Sequence, residues 1–161
     1  MIGPDDFRRV MSHFATGVTI VTAWDADHRP TGLTASSFTS VSLNPPLILV
    51  CVSQKAQSYP AIKAAGRFAV NILCQGQEGA SRRFATSTSA PGEEKFEGLQ
   101  YRPGPLGLPV LPEALANLEC TVVDAYPGGD HTIFVAQVET AETGDGKEPL
   151  LYFRGKYSRL S

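Results

Sequence analysis

Three β-rich runs follow one another in the first third of the chain, at residues 18–24, 31–41 and 47–53, each dense in Val, Ile, Thr or Leu. Only turn signals separate them, DADHRP at 25–30 and NPP at 44–46. Parallel pairing of consecutive strands needs a crossover of a dozen or more residues, and these connections are shorter. Three strands in succession therefore imply antiparallel pairing.

The remaining pattern fits around that sheet. Pro4 near a helix start, Asp5 and Asp6 in the first turn, and Phe7, Val10, Met11 and Phe14 at spacings of three and four predict a short amphipathic helix. From Ser58 the run YPAIKAAG reads as a helix with Pro60 in its first turn and Gly66 stopping it, followed by a strand at 68–73. A second helix is expected over 77–84. Residues 85–112 lack sustained periodicity and are rich in Gly, Pro, Ser and Thr, which predicts a long excursion over the surface. Two further strands, 118–125 and 132–140, flank the hairpin signal YPGGDH, and 150–153 supplies a last short strand. There is no internal repeat and no linker, so the expectation is one domain over 1–161. Its class is mainly β, an antiparallel barrel, closed or nearly so, with peripheral helices.

Composition narrows the function. A hydrophobic content of 42% in 161 residues suffices for one ordinary core. The net charge is −2 and the 14 basic residues are scattered, which argues against a nucleic-acid partner. Cys51, Cys74 and Cys120 are widely spaced, form no CxxC pair and read as reduced core thiols. The N-terminus MIGPDDFRRVMSHF fits neither a signal peptide nor a membrane span, so a cytoplasmic location is expected. GxGxxG, GxxxxGK[ST], HExxH and GxSxG are all missing. His13, His28 and His131 lie far apart without supporting ligands, and no metal site is expected.

Four clusters carry candidate chemistry. In GLTASSFTSVSLNPPLILVCV, strict alternation would bury Leu33, Ala35, Ser37, Thr39 and Val41 together, mixing hydroxyls with apolar groups as a plain core strand would not. Small Ala35, Ser36 and Ser37 leave backbone amides approachable by a flat heterocycle; equally, Thr34, Ser36 and Thr39 suit an ordinary strand surface. Ser53, Lys55 and Ser58, between a strand end and a helix start, suit a phosphate, although Lys55 also reads as a solvated loop lysine. In SRRFA, one of Arg82 and Arg83 can pair with phosphate and Phe84 can pack on a ring; the alternative is a solvated helix face with Phe84 in the core. In GGDHTIF, His131 heads a strand just after a glycine turn, placed either for a ligand or merely for solvent. At the C-terminus, YFRGKY sets Arg154 among aromatic rings, a stacked lid or simply the end of a strand.

Taken in order and spacing, FATGVTIVT, GLTASSFTSVSLNPPLILVCV, SRRFA, GDHTIFVAQV and YFRGKY resemble the short-chain flavin reductases of two-component monooxygenases, over nearly the whole chain from Phe7 to Tyr157. That resemblance implies the FMN-binding split-barrel fold and a hydride transfer from NADH or NADPH to FMN or FAD. It implies flavin contacts at Thr34, Ala35, Ser36, Ser37 and Cys51, a phosphate near Ser53, Lys55 and Ser58, and Arg82 or Arg83 with Phe84 and Tyr152 around the outer flavin. It places His131 beside the nicotinamide as the catalytic residue, and it implies a homodimer feeding a separate flavin-dependent monooxygenase. Where such reductases often carry Asn, this chain has Ser36, which has no amide to offer. A pyridoxamine-phosphate-type flavin oxidase and a flavin-storage module share the barrel and are the rival readings.

Overall fold

The structure is a computed structural model and describes residues 1–86, 92–144 and 148–161. In chain order its elements are α1 (Pro4–Met11), β1 (Thr16–Gly17), β2 (Thr19–Trp24), β3 (Pro30–Ala35), β4 (Phe38–Ser42), β5 (Leu47–Ser53), α2 (Tyr59–Ala65), β6 (Arg67–Ile72), α3 (Glu78–Ala85), β7 (Arg102–Pro103), β8 (Pro109–Val110), β9 (Ala116–Gly128), β10 (His131–Thr143), β11 (Leu151–Phe153) and β12 (Lys156–Ser158). The helices start and stop where their residues dictate. Pro60 opens α2 at a position whose N–H needs no partner, and Gly66 closes it at φ 63, its amide donating to the Ile62 carbonyl.

Seven antiparallel strands form the main sheet in the order β3-β2-β6-β9-β10-β5-β4, with β1-β11-β12 and β7-β8 as small satellites. Its two edge strands, β3 and β4, are consecutive in the chain and separated by Ser36 and Ser37 alone. Three Cα steps span at most roughly 11 Å, so the sheet must curl until its edges nearly meet. The result is a barrel split along that seam. The expected single strand over 31–41 is thus two strands, and alternation does not continue across the break: Ala35 is buried, whereas Ser37, Thr39 and Val41 are exposed.

Alternation elsewhere fills the barrel. On β5 and β10 the inward residues Ile48, Val50, Val52, Thr132, Phe134 and Ala136 pair in register, Phe134 with Val50 and Ala136 with Ile48. Strand β2 is buried on both faces. Val21 and Ala23 point into the barrel with Phe68 and Phe134, and Val18 and Ile20 pack outward against Phe84 of α3.

That second face corrects the reading of 85–112 as a surface excursion. Phe96 and Leu111 are buried beneath it, the Phe96 ring meeting Phe84 edge-on at 4.9 Å, because the outer face of β2 needs an apolar cover. Residues 87–91 of that stretch lie outside the described residues. Its end is pinned by buried Glu119, whose carboxylate accepts the amides of Leu106 (2.8 Å) and Leu108 (2.9 Å) and the Thr140 hydroxyl (2.9 Å). Among the described residues no helix is long and apolar enough to cross a membrane, and no group of three or more His, Cys, Asp or Glu is placed to hold a metal.

Candidate active site

The seam opens onto a cleft of about 1120 Å³. One wall is the seam itself, with Ser36, Ser37, Phe38, Thr39 and Leu49; the other is α1 and its trailing turn, with Phe7, Met11 and Phe14. Tyr152, Arg154 and Gly155 of the C-terminal hairpin close one end. Leaving the ladder at Ser36 and Ser37 is what exposes main chain here. Ser37 nonetheless fixes the seam to β5, its carbonyl accepting the Cys51 amide at 3.2 Å and its hydroxyl donating to the Cys51 carbonyl at 3.0 Å. Cys51 itself is half-buried, between Ser37 and Ile133 on the neighbouring strands.

Two residues beyond Cys51, the second cluster gathers. Ser53 pairs in register with His131 at the head of β10, and its hydroxyl accepts the Lys55 amide at 3.3 Å. Ser58, at the start of α2, is 1% exposed, and its Oγ has no hydrogen-bond partner. A buried hydroxyl left unpaired costs about 1–3 kcal/mol, so an acceptor brought to this position would be favoured.

His131 follows the two-residue turn Gly129–Asp130, with Gly129 at φ 68 as the turn requires. The turn is tied to the end of β5 by the Gln54 amide, which donates to the Asp130 carbonyl at 3.1 Å. The His131 Nδ1 lies 2.7 Å from the Asp130 carboxylate, which the histidine holds below the usual carboxylate range. Its side chain is 42% exposed, and the Asp130 contact leaves Nε2 for another partner.

Of the expected contacts, Ser36, Ser37 and Tyr152 line this cleft, whereas Ala35, Cys51, Ser53, Lys55, Ser58 and His131 are not among its lining residues. The Thr34 hydroxyl donates to the Ser81 carbonyl at 2.7 Å and so fastens β3 to α3. Arg83 donates to the carbonyls of Lys95 and Glu97, which anchors the turn after α3 and leaves the guanidinium turned from the cleft. Phe84 is 2% exposed and lies in the outer core behind the wall, not on it. Adjacent helical residues point in different directions, and it is Arg82 that reaches the site side, 4.8 Å from the Tyr157 ring centroid and near Tyr152. Sequence reasoning missed the α1 wall, whose Phe7, Met11 and Phe14 read only as a helix stripe.

A split antiparallel barrel with a large apolar-walled cleft at its seam and small hydroxyl residues on one side suits a flat aromatic cofactor. Residues 11–161 match the flavin reductase like domain family. The chain is 41% identical, over its whole length and 90% of the relative's, to an NADH-dependent FAD reductase of Streptomyces globisporus. It is 46% identical, over 96% of its length and 80% of the relative's, to the reductase component of a 4-nitrophenol 4-monooxygenase/4-nitrocatechol 2-monooxygenase of Rhodococcus opacus. A solved NADH:FAD oxidoreductase of Streptomyces globisporus, in complex with NAD and FAD fragments, superposes with a TM-score of 0.89 at 40% identity, covering 100% of this chain and 96% of that one. The chain belongs to the flavin reductase like family. It is a flavin reductase, an oxidoreductase of mainly β, split-barrel architecture.

Proposed function

We propose that this enzyme reduces FAD with NADH as a homodimer in the cytoplasm and hands the reduced flavin to a separate monooxygenase. The pair of cofactors follows those named for the Streptomyces globisporus relative, and the monooxygenase follows the Rhodococcus opacus reductase component. These relatives offer no counterpart for the oxidase or storage readings.

In this reading Ala35, Ser36, Ser37 and Cys51 line the flavin, and Ser53, Lys55 and Ser58 hold its phosphate. A flavin supplies the hydride chemistry at its own ring, so the protein's task is placement and exclusion of water. The seam amides and hydroxyls orient the ring. Phe14, Phe7 and Met11 shield it from solvent. His131, with Nδ1 held by Asp130, presents Nε2 to the nicotinamide carboxamide. The observation that carries the reading is the open cleft at the barrel seam, lined by Ser36 and Ser37 on one side and by Phe7, Met11 and Phe14 on the other.

The test is oxidation of NADH and NADPH followed at 340 nm with FAD or FMN added. Flavin-dependent NADH oxidation, faster with FAD, is expected; a protein that binds flavin yet leaves both nicotinamides untouched refutes the reductase assignment. His131→Ala is expected to raise the KM for NADH or lower kcat by about tenfold or more while leaving flavin affinity unchanged.

A further inference from the structure

Arg8, Arg9 and Arg154 line the cleft, and no carboxylate does. Two of the three are already paired, Arg8 with Asp5 at 2.9 Å and Arg9 with Asp6 at 3.0 Å. Arg154 has no ion pair among the described residues. Its guanidinium lies over the Phe153 ring, 5.1 Å from the centroid, a contact that leaves its N–H groups open to an acceptor.

Arg154 also sits where the backbone does not favour it. With Gly155 it makes the two-residue turn between β11 and β12, at φ 51 and 75. Such a turn needs positive φ at both central residues, which Asn-Gly adopts readily and a long side chain does not. The turn is fastened to the opposite wall, the Arg154 amide donating to the Ser12 carbonyl just beyond α1 at 2.8 Å. A strained residue at a cleft, its main chain anchored and its charge unpaired, points to a ligand.

Flavin reduction creates a charge for it to meet. The oxidised ring is neutral. When NADH becomes NAD+, the hydride joins ring N5 with both electrons, so the ring gains one negative charge, spread over N1 and the C2 carbonyl until solvent supplies a proton. We infer that Arg154 is the counter-charge of the reduced flavin, favouring the anionic ring over the neutral one. The inference rests on the reading of the cleft as the flavin site. Between walls as apolar as Phe7, Met11 and Phe14, a cation acts on that charge more strongly than it would in water.

Arg154→Asn removes the cation and suits the turn, so its melting temperature should match or exceed the wild type's; Arg154→Lys keeps the charge. For both variants the Kd is measured anaerobically for oxidised and for photoreduced FAD. Arg154→Asn should raise the Kd of reduced FAD about tenfold and leave that of oxidised FAD within about twofold, and Arg154→Lys should keep most of the wild-type preference. An equal rise in both redox states assigns the guanidinium to the phosphates, whose charge reduction does not alter, and overturns the proposal; unchanged values in both overturn it as well. Ser36→Phe is the companion variant and should weaken FAD in both states. If it does so while Arg154→Asn leaves the ratio of the two Kd values as in the wild type, the counter-charge alone fails; if Ser36→Phe spares both states, the cleft reading fails and the counter-charge with it.

Discussion

In the proposed reading, binding and stability pull in opposite directions at Ser58. Its Oγ is buried without a partner, so Ser58→Ala removes an uncompensated polar atom from the free protein. The free enzyme should keep its melting temperature or gain about 1–3 °C. In the proposed reading, in which Ser58 meets the flavin phosphate, flavin affinity should fall by about fivefold to tenfold. Calorimetry of the free protein and flavin titration of the same sample check both halves, and a large loss of stability without loss of affinity would assign Ser58 to the helix start instead. Cys120 titrates in the other direction. Burial first, then Glu139 and Glu119, push its thiol from 9.0 up to about 12. A folded value above the unfolded one means that the folded state retains the proton longer. The stabilisation is complete below pH 9 and is lost as pH rises towards 12, at about 1.4 kcal/mol per pH unit. Urea midpoints between pH 8 and 10.5 should fall more steeply for the wild type than for Cys120→Ala, and equal slopes would remove Cys120 from the account.

At the scale of elements, the approach of α3 to the sheet depends on one missing side chain. A Cβ on Gly32 would lie 2.7 Å from the Val21 carbonyl oxygen and 3.2 Å from the Phe84 ring. Gly32→Val therefore forces strand β3 and helix α3 apart, at a cost of roughly 1–3 kcal/mol and a melting temperature lower by about 5 °C. Thermal unfolding of the variant measures this directly, and an unchanged midpoint would show that α3 yields freely. Local pattern made the helices, the β9–β10 hairpin and the antiparallel order legible, because Pro60, Gly66 and Gly129 act on their own neighbours. It could not show the break at Ser36 and Ser37, since a run of β-formers reads as one strand whether or not its two halves pair with different neighbours. Nor could it show Phe96 and Leu111 in the core, which are buried by β2, far away in sequence. The same limit applies to the site: Ser36, Ser37 and Ser58 stand out as hydroxyls in odd places, while the engagement of Thr34 by Ser81 and of Arg83 by Lys95 and Glu97 depends on where α3 lands.

The whole molecule leaves α1 unexplained as a free-standing element. None of its residues is buried, and Phe7, Val10 and Met11 are each half exposed, with Phe14 beyond them at 73%. An isolated helix of eight residues is not stable in water, and the Arg154 amide bonded to the Ser12 carbonyl at 2.8 Å secures only its end. A second apolar surface lies on the outer face of the sheet, where Leu47, Leu49, Cys51, Ile133 and Val135 are half-buried and run into the cleft at Leu49. Together these two surfaces suit a partner of the same kind, since a lasting pair needs about 800 Å² from each copy and a centre poor in charge. The cleft lies between them, so pairing would finish its wall as well as cover the helix. Light scattering at micromolar concentration should give twice the monomer mass of 17.2 kDa. Val10→Glu with Phe14→Glu should shift the protein to monomer and weaken flavin binding by about tenfold or more, because a carboxylate cannot enter a desolvated contact unpaired. A wild type that runs as a monomer would overturn the pairing outright. A double variant that stays dimeric but binds flavin poorly would keep α1 as a wall of the site and move the interface to the sheet face alone.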